Sequence, residues 1–137
     1  MEAQVTWVEN VGMVGQTGSG HALVMDAAPE AGGHNLGPRP MEMLLLGLGS
    51  CSTIDVVTIL KKSGQPLRDC KVALRAQRAT TDPKVFTHIH LEFTVCGEGL
   101  KPEKVAQAIK LSADKYCSAS KMLGAVAEIS HSYTVVA

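Results

Sequence analysis

The stretch from Met41 to about Ser63 constrains this chain more than any other. It reads Met41-Glu42-Met43-Leu44-Leu45-Leu46-Gly47-Leu48-Gly49-Ser50-Cys51-Ser52-Thr53-Ile54-Asp55-Val56-Val57 and onward, and is apolar on nearly all sides. Its ends are those of a helix. Pro40 suits the first helical position and Glu42 the positively polarised first turn; Lys61 and Lys62 suit the last turn, Gly64 the cap, and Pro66 the stop beyond it. A helix apolar all round must be covered by lipid or by protein. Glu42, Asp55, the two glycines and the polar Ser50-Cys51-Ser52-Thr53 block argue against a membrane span. A helix buried in protein is therefore expected. A small single domain has little else with which to cover it, so a symmetric homodimer is expected too.

The flanking segments read as strands. Residues 3–9 suggest a first strand, Gly15–Gly20 a turn, and residues 21–25 a second strand; residues 26–40 are a Pro- and Gly-rich loop. After the central helix, Val72, Leu74 and Ala76 share one strand face. Ile89, Leu91, Phe93 and Val95 then alternate with His88, His90, Glu92 and Thr94, and Asp82-Pro83 marks the turn between the two strands. Such one-sided alternation predicts antiparallel pairing. Pro102 opens a second helix with Val105, Ala108, Ile109, Ser112 and Tyr116 on one stripe; Ser118–Ala125 suggests a short third helix, and residues 129–136 a closing strand. The order is ββ-α-ββ-α(α)-β, an α+β class, in one domain over residues 1–137.

Thirteen basic and thirteen acidic residues cancel, which argues against nucleic acid as a partner. The start, Met1–Trp7, has no basic and apolar leader, so a cytoplasmic location with reduced cysteines and no membrane contact is expected. No phosphate loop, nucleophile elbow or dinucleotide fingerprint is present, and no cofactor is expected. His88 and His90 share a strand face but fit a solvated surface better than a metal pair.

The cysteines are the chemical signal. Cys51 sits mid-helix and Cys117 at a helix junction, in Lys115-Tyr116-Cys117-Ser118-Ala119-Ser120-Lys121. Gly47 and Gly49 leave a groove beside Cys51 that another backbone can enter. Ser118 or Ser120 capping the next helix would put Cys117 near a positive helix end, with Lys115 and Lys121 close; both effects lower a thiol pKa. Asp55, one turn beyond Cys51, would raise that thiol, and Arg39 is the nearest cation in sequence to offset it. Two small buried hydrophobes are the plainer reading of the pair. Cys70 and Cys96, at strand ends, read as structural.

Gly37-Pro38-Arg39-Pro40-Met41-Glu42-Met43-Leu44-Leu45, leading to Leu48-Gly49-Ser50-Cys51, together with Tyr116-Cys117-Ser118-Ala119-Ser120-Lys121, resembles the OsmC/Ohr family of osmotically inducible and organic hydroperoxide resistance proteins. The resemblance extends along nearly the whole element order. It implies antiparallel sheets around two central helices in an intertwined homodimer. It implies that Cys51 is the peroxidatic thiol, oxidised to a sulfenic acid by an organic hydroperoxide, and Cys117 the resolving thiol that forms a disulfide; a dithiol reductant resets the pair. Arg39 and Glu42 are the candidate activating residues. The hydroperoxide branch of the family uses an arginine from the N-terminal hairpin and a glutamate before the helix. Here no arginine precedes Arg39, and the glutamate is shifted one place to Glu42, so the pattern is nearer a less characterised OsmC-like branch. The runner-up is a non-catalytic module holding an apolar ligand, lined by Leu44, Leu45, Leu48 and Met122.

Overall fold

A computed structural model describes residues 1–137 and divides them into two compact units, 1–46 and 47–137. In the first unit, β1 (Ala3–Glu9), β2 (Gly12–Thr17) and β3 (Ala22–Met25) form an antiparallel sheet in sequence order. The alternation of polarity suggested two strands here, and the structure has three. Residues Gly12–Thr17 hold two glycines and no alternation, so their strand character comes from pairing on both sides. At Gly15 a Cβ would meet the terminal methyl of Met25 at 2.7 Å, so a side chain there would displace that flexible methyl. All seven residues of β1 are exposed, Trp7 included.

The loop after β3 is organised by one buried carboxylate. Asp26 accepts from the backbone N–H of Ala27, His34 and Leu36 at 2.7, 3.0 and 3.2 Å. These amides satisfy both carboxylate oxygens and close the loop without an apolar core.

Helix α1 (Pro40–Lys62) runs across the boundary between the units. Its start is stapled by Glu42, whose Oε1 accepts from the Arg39 N–H at 2.8 Å. This is half of a capping box. At the other end Gly64 takes a left-handed φ of 71°, and the Gly64 and Gln65 amides turn back to Lys61 and Leu60. By length and hydropathy α1 could cross a bilayer. In the second unit, however, Leu48, Ser52, Val56 and Leu60 recur every fourth residue and are all buried.

That unit's sheet has the order β4-β5-β6, from β4 (Asp69–Arg78), β5 (Phe86–Cys96) and β6 (Glu128–Val136). Ile89, Leu91, Phe93 and Val95 of the central β5 are at most 1% exposed. Gly49 brings α1 onto β4, where a Cβ would meet Leu74 at 2.7 Å. β4 and β5 pair antiparallel, but β6 lies parallel to β5. The sheet is mixed, a correction to the antiparallel expectation. The physical reason is the return path: α2 (Pro102–Leu111), a π-helical turn (Ser112–Tyr116) and α3 (Ser118–Leu123) carry the chain back before β6 begins.

The π turn also moves Tyr116. Val105, Ala108, Ile109 and Ser112 form the buried stripe as expected, while Tyr116 is exposed. An extra residue per turn advances the phase and rotates it off the stripe.

Candidate functional site

α1 and the α3 entrance bring Cys51 and Cys117 together. Cys51 follows Ser50 on α1 and precedes the buried Ser52. Cys117 is the residue between the π turn and α3, with an extended φ of −74° and ψ of 103°, and is itself the cap of α3. The expectation that Ser118 or Ser120 would cap α3 is corrected: the Cys117 sulfur accepts the Ser120 N–H at 3.3 Å. A sulfur is a large, soft acceptor, and the compact Cys-Ser-Ala-Ser sequence lets it reach the amide three residues on. The Ser52 hydroxyl is 3.4 Å from the same sulfur. Both thiols are free, and their side chains interact with each other directly.

The two sulfurs differ electrostatically. For Cys117, burial raises the pKa, but the Ser120 hydroxyl, Ser52, the Ser120 amide and Cys51 together outweigh it and lower the thiol below its ordinary value. For Cys51, the Ala119 amide lowers the pKa, but burial, the Cys117 thiol and Asp55 outweigh it and raise the thiol. The Asp55 carboxylate is held by the buried Ser112 hydroxyl at 2.9 Å. Its expected upward pull on Cys51 is present.

Arg39 and Glu42 form a second pair, in the first unit, joined by the helix-start hydrogen bond. Cys70 and Cys96 lie on opposite faces of the second sheet: Asp69 pairs with Cys96, and Cys70 with Val95. His88 and His90 share the outer face. His88 meets Glu128 at 3.1 Å, and the two ring nitrogens of His90 meet Ser130 and Ser132 at 2.7 and 2.8 Å.

A cavity of about 400 Å³ opens beside Cys117, lined also by Lys115, Tyr116, Ser118, Lys121 and Met122. Met122 was a candidate for an apolar pocket; Leu48, another, is fully buried in the core. Sequence reasoning missed Ser52 and Ser112 as members of the site and took Ser120 only as a possible helix cap. The trace of Ser52 and Ser120 is that each thiol is followed closely by small hydroxyl residues, in Cys51-Ser52-Thr53 and Cys117-Ser118-Ala119-Ser120, while Ser112 showed only as a member of the second helix's stripe.

Residues 33–132 match the family model for OsmC-like protein. Protein YhfA of Escherichia coli (strain K12) is 47% identical over 137 residues, covering 100% of this chain and 99% of the relative. A crystal structure of a hypothetical protein from Aquifex aeolicus VF5 superposes with a TM-score of 0.82 at 30% identity, covering 98% of this chain and 96% of that one. An organic hydroperoxide resistance protein OsmC from Legionella pneumophila shares the fold, with a TM-score of 0.75 at 16% identity over 97% of this chain and 95% of that one. The chain belongs to the OsmC-like family.

Proposed function

We propose that this OsmC-like protein is a dithiol redox protein that reduces organic hydroperoxides, with Cys51 and Cys117 cycling between two thiols and a disulfide. The approach of the α3 entrance to α1 carries the reading: the hydroxyl of Ser52, the residue after Cys51, lies 3.4 Å from the Cys117 sulfur, and each thiol shifts the other's pKa. Cys51 is oxidised to a sulfenic acid, Cys117 condenses with it to a disulfide, and a dithiol reductant resets the pair by exchange. This chemistry needs no metal or organic cofactor, and it suits a reducing compartment, the cytoplasm, in which the resting thiols persist.

We further propose that the two units belong to one domain, since the family match runs from residue 33 to 132 and spans their boundary. A homodimer would cover α1, where Leu44 and Ile54 are exposed in the single chain. Light scattering should then give about twice 14.5 kDa, and a stable monomer at micromolar concentration contradicts the dimer.

The redox reading is tested by adding stoichiometric cumene hydroperoxide to the reduced protein, counting thiols, and mapping disulfide-linked peptides. The expected result is the loss of two thiols and a Cys51–Cys117 link. Four free thiols after treatment, or a link through Cys70 or Cys96, would reject it.

A further inference from the structure

We propose that Asp55, held in place by Ser112, commits the sulfenic acid formed on Cys51 to disulfide formation with Cys117 and keeps it from further oxidation. The proposal deepens the redox reading of the pair and rests on it. It gives a role to a carboxylate that works against the first oxidation step, since a negative charge beside Cys51 disfavours the attacking thiolate.

The carboxylate is fixed by the fold. Asp55 stands one helical turn beyond Cys51 on α1, a spacing that puts both side chains on one face. Its Oδ2 accepts from the Ser112 hydroxyl at 2.9 Å, and Ser112 is buried. Ser112 opens the π turn, and its carbonyl accepts the Cys117 N–H at 2.8 Å. One residue thus ties the carboxylate beside the first thiol to the backbone of the second. Asp114, two residues further on, has a cation of its own in Lys110 at 2.6 Å, and Lys115 lies over the Tyr116 ring. Asp55 is met by a neutral hydroxyl, so its charge stays available to Cys51.

The two sulfurs are set up for opposite parts in the second step. At Cys117, burial raises the pKa, but the Ser120 hydroxyl, Ser52 and the Ser120 amide outweigh it and favour the thiolate. The Ser120 N–H and the Ser52 hydroxyl lie 3.3 and 3.4 Å from the sulfur. Cys117 is only 3% exposed, so this nucleophile is screened from peroxide in solution and available to its neighbour, the more exposed Cys51. At Cys51, the Ala119 amide lowers the pKa, but burial, the Cys117 thiol and Asp55 outweigh it. A sulfenic O–H built on that sulfur stands beside the same carboxylate, which favours its neutral form. An anionic resolving thiol facing a neutral sulfenic acid is the asymmetry that disulfide formation needs.

In the first step the Cys51 thiolate attacks the terminal peroxide oxygen; an S–O bond forms, the O–O bond breaks, and the alkoxide leaves with the electron pair and takes the proton that Cys51 gave up. The sulfenic acid then has two fates. As the neutral acid it is attacked at sulfur by the Cys117 thiolate; an S–S bond forms, the S–OH bond breaks, and hydroxide leaves with the electron pair and takes from solvent the proton that Cys117 released. As the sulfenate it would have to expel an oxide dianion, so this route is closed. Its sulfur instead attacks a second organic hydroperoxide; a second S–O bond forms, the O–O bond breaks, the alkoxide leaves and takes the hydroxyl proton, and Cys51 ends as a sulfinate. One proton separates the two fates, and Asp55 keeps it on the oxygen.

The test treats the reduced full-length protein with excess cumene hydroperoxide and compares wild type with Asp55→Asn. The amide keeps an oxygen to accept from Ser112 and removes only the charge. Mass spectrometry of the Cys51 and Cys117 peptides gives the yields of disulfide and sulfinate. Wild type should end chiefly as the Cys51–Cys117 disulfide. In Asp55→Asn the ratio of sulfinate to disulfide should rise about tenfold, the effect of a one-unit change in the pKa of the sulfenic acid. The pH midpoint of Cys51 alkylation, measured without peroxide, should fall by about one unit for the same reason. Ser112→Ala, which frees the carboxylate, should move both readouts in the same direction by less, and Ser112→Thr should restore them; a hydroxyl that only fills space would leave both at their wild-type values and overturn its positioning role. A wild-type disulfide together with an unchanged sulfinate ratio in Asp55→Asn overturns the proposal and leaves the redox reading standing. A wild type that forms no Cys51–Cys117 disulfide overturns both.

Discussion

The two sheets of this chain are built on different physics. Central strand β5 buries Ile89, Leu91, Phe93 and Val95 completely, and α1 lays Leu48, Ser52, Val56 and Leu60 in a buried stripe within the same unit. In the first sheet, β1 buries nothing, and its apolar Val5, Trp7 and Val8 are each more than 60% exposed. That sheet is held by hairpin ladders and by the Asp26 carboxylate, not by a core of its own. A three-stranded sheet with one wet face and little burial is marginal. The contrast means that the second unit carries the stability, while the first depends on polar anchoring and on whatever covers β1.

The sharpest way to break the contrast is to truncate one large aromatic in each sheet. Phe93→Ala removes a fully buried ring from β5 and should cost about 3–5 kcal/mol of unfolding free energy. Trp7→Ala removes a ring that is 67% exposed and should cost less than ~1 kcal/mol. Urea unfolding followed by circular dichroism, at low protein concentration, measures both. Equal losses would mean that β1 is as covered as β5 and that the two sheets share one core.

Legibility in the sequence follows the same divide. The bounds of α1 were readable because Pro40, Gly64 and Pro66 act locally. β5 was readable because burying one face imposes strict alternation. β2 was not, since a strand with Gly12 and Gly15 has no face to alternate. The parallel direction of β6 could not be read at all: alternation is the same for either direction, and only the path through α2 and α3 decides it. At the site, both cysteines and the effect of Asp55 were visible, because helical spacing places Asp55 one turn beyond Cys51. The convergence of Ser52 on Cys117 was not, since 65 residues separate them. Tyr116 was misplaced because a π turn leaves no mark in a 3.6-residue pattern.

A smaller effect sharpens the picture of the first sheet. The Ala27 amide, followed by those of His34 and Leu36, holds Asp26 below the usual carboxylate range despite its burial. A depressed folded value stabilises above the unfolded value of about 3.9 and is lost as pH falls through the folded one. Asp26→Asn should therefore weaken residues 26–37 at neutral pH and remove part of the acid sensitivity below about pH 3.9. Hydrogen exchange at the His34 and Leu36 amides is the readout. Unchanged protection there would show that the loop is held by something else.

The smallest expected effect belongs to the second sheet and appears in a different pH window. His131 on β6 is half-buried and stacks on Phe93, with ring centroids 6.5 Å apart and planes 22° from parallel. Burial lowers its pKa, neighbouring His90 adds to the effect, and Asp114 opposes it. The neutral ring is thus the form that fits the fold. With the folded value below the unfolded value of about 6.5, its contribution is complete above that pH and lost as pH falls through the folded value. In His131→Phe the ring cannot charge, and it keeps the stacking. The urea midpoint of wild type should therefore fall between pH 8 and pH 5 by more than that of His131→Phe, while Asp26→Asn should follow wild type across this range because its own window lies lower. If His131→Phe and wild type lose stability in parallel, protonation of His131 is not what acid does to the second sheet. If Asp26→Asn departs from wild type above pH 5, the separation of the two units into two titration windows fails.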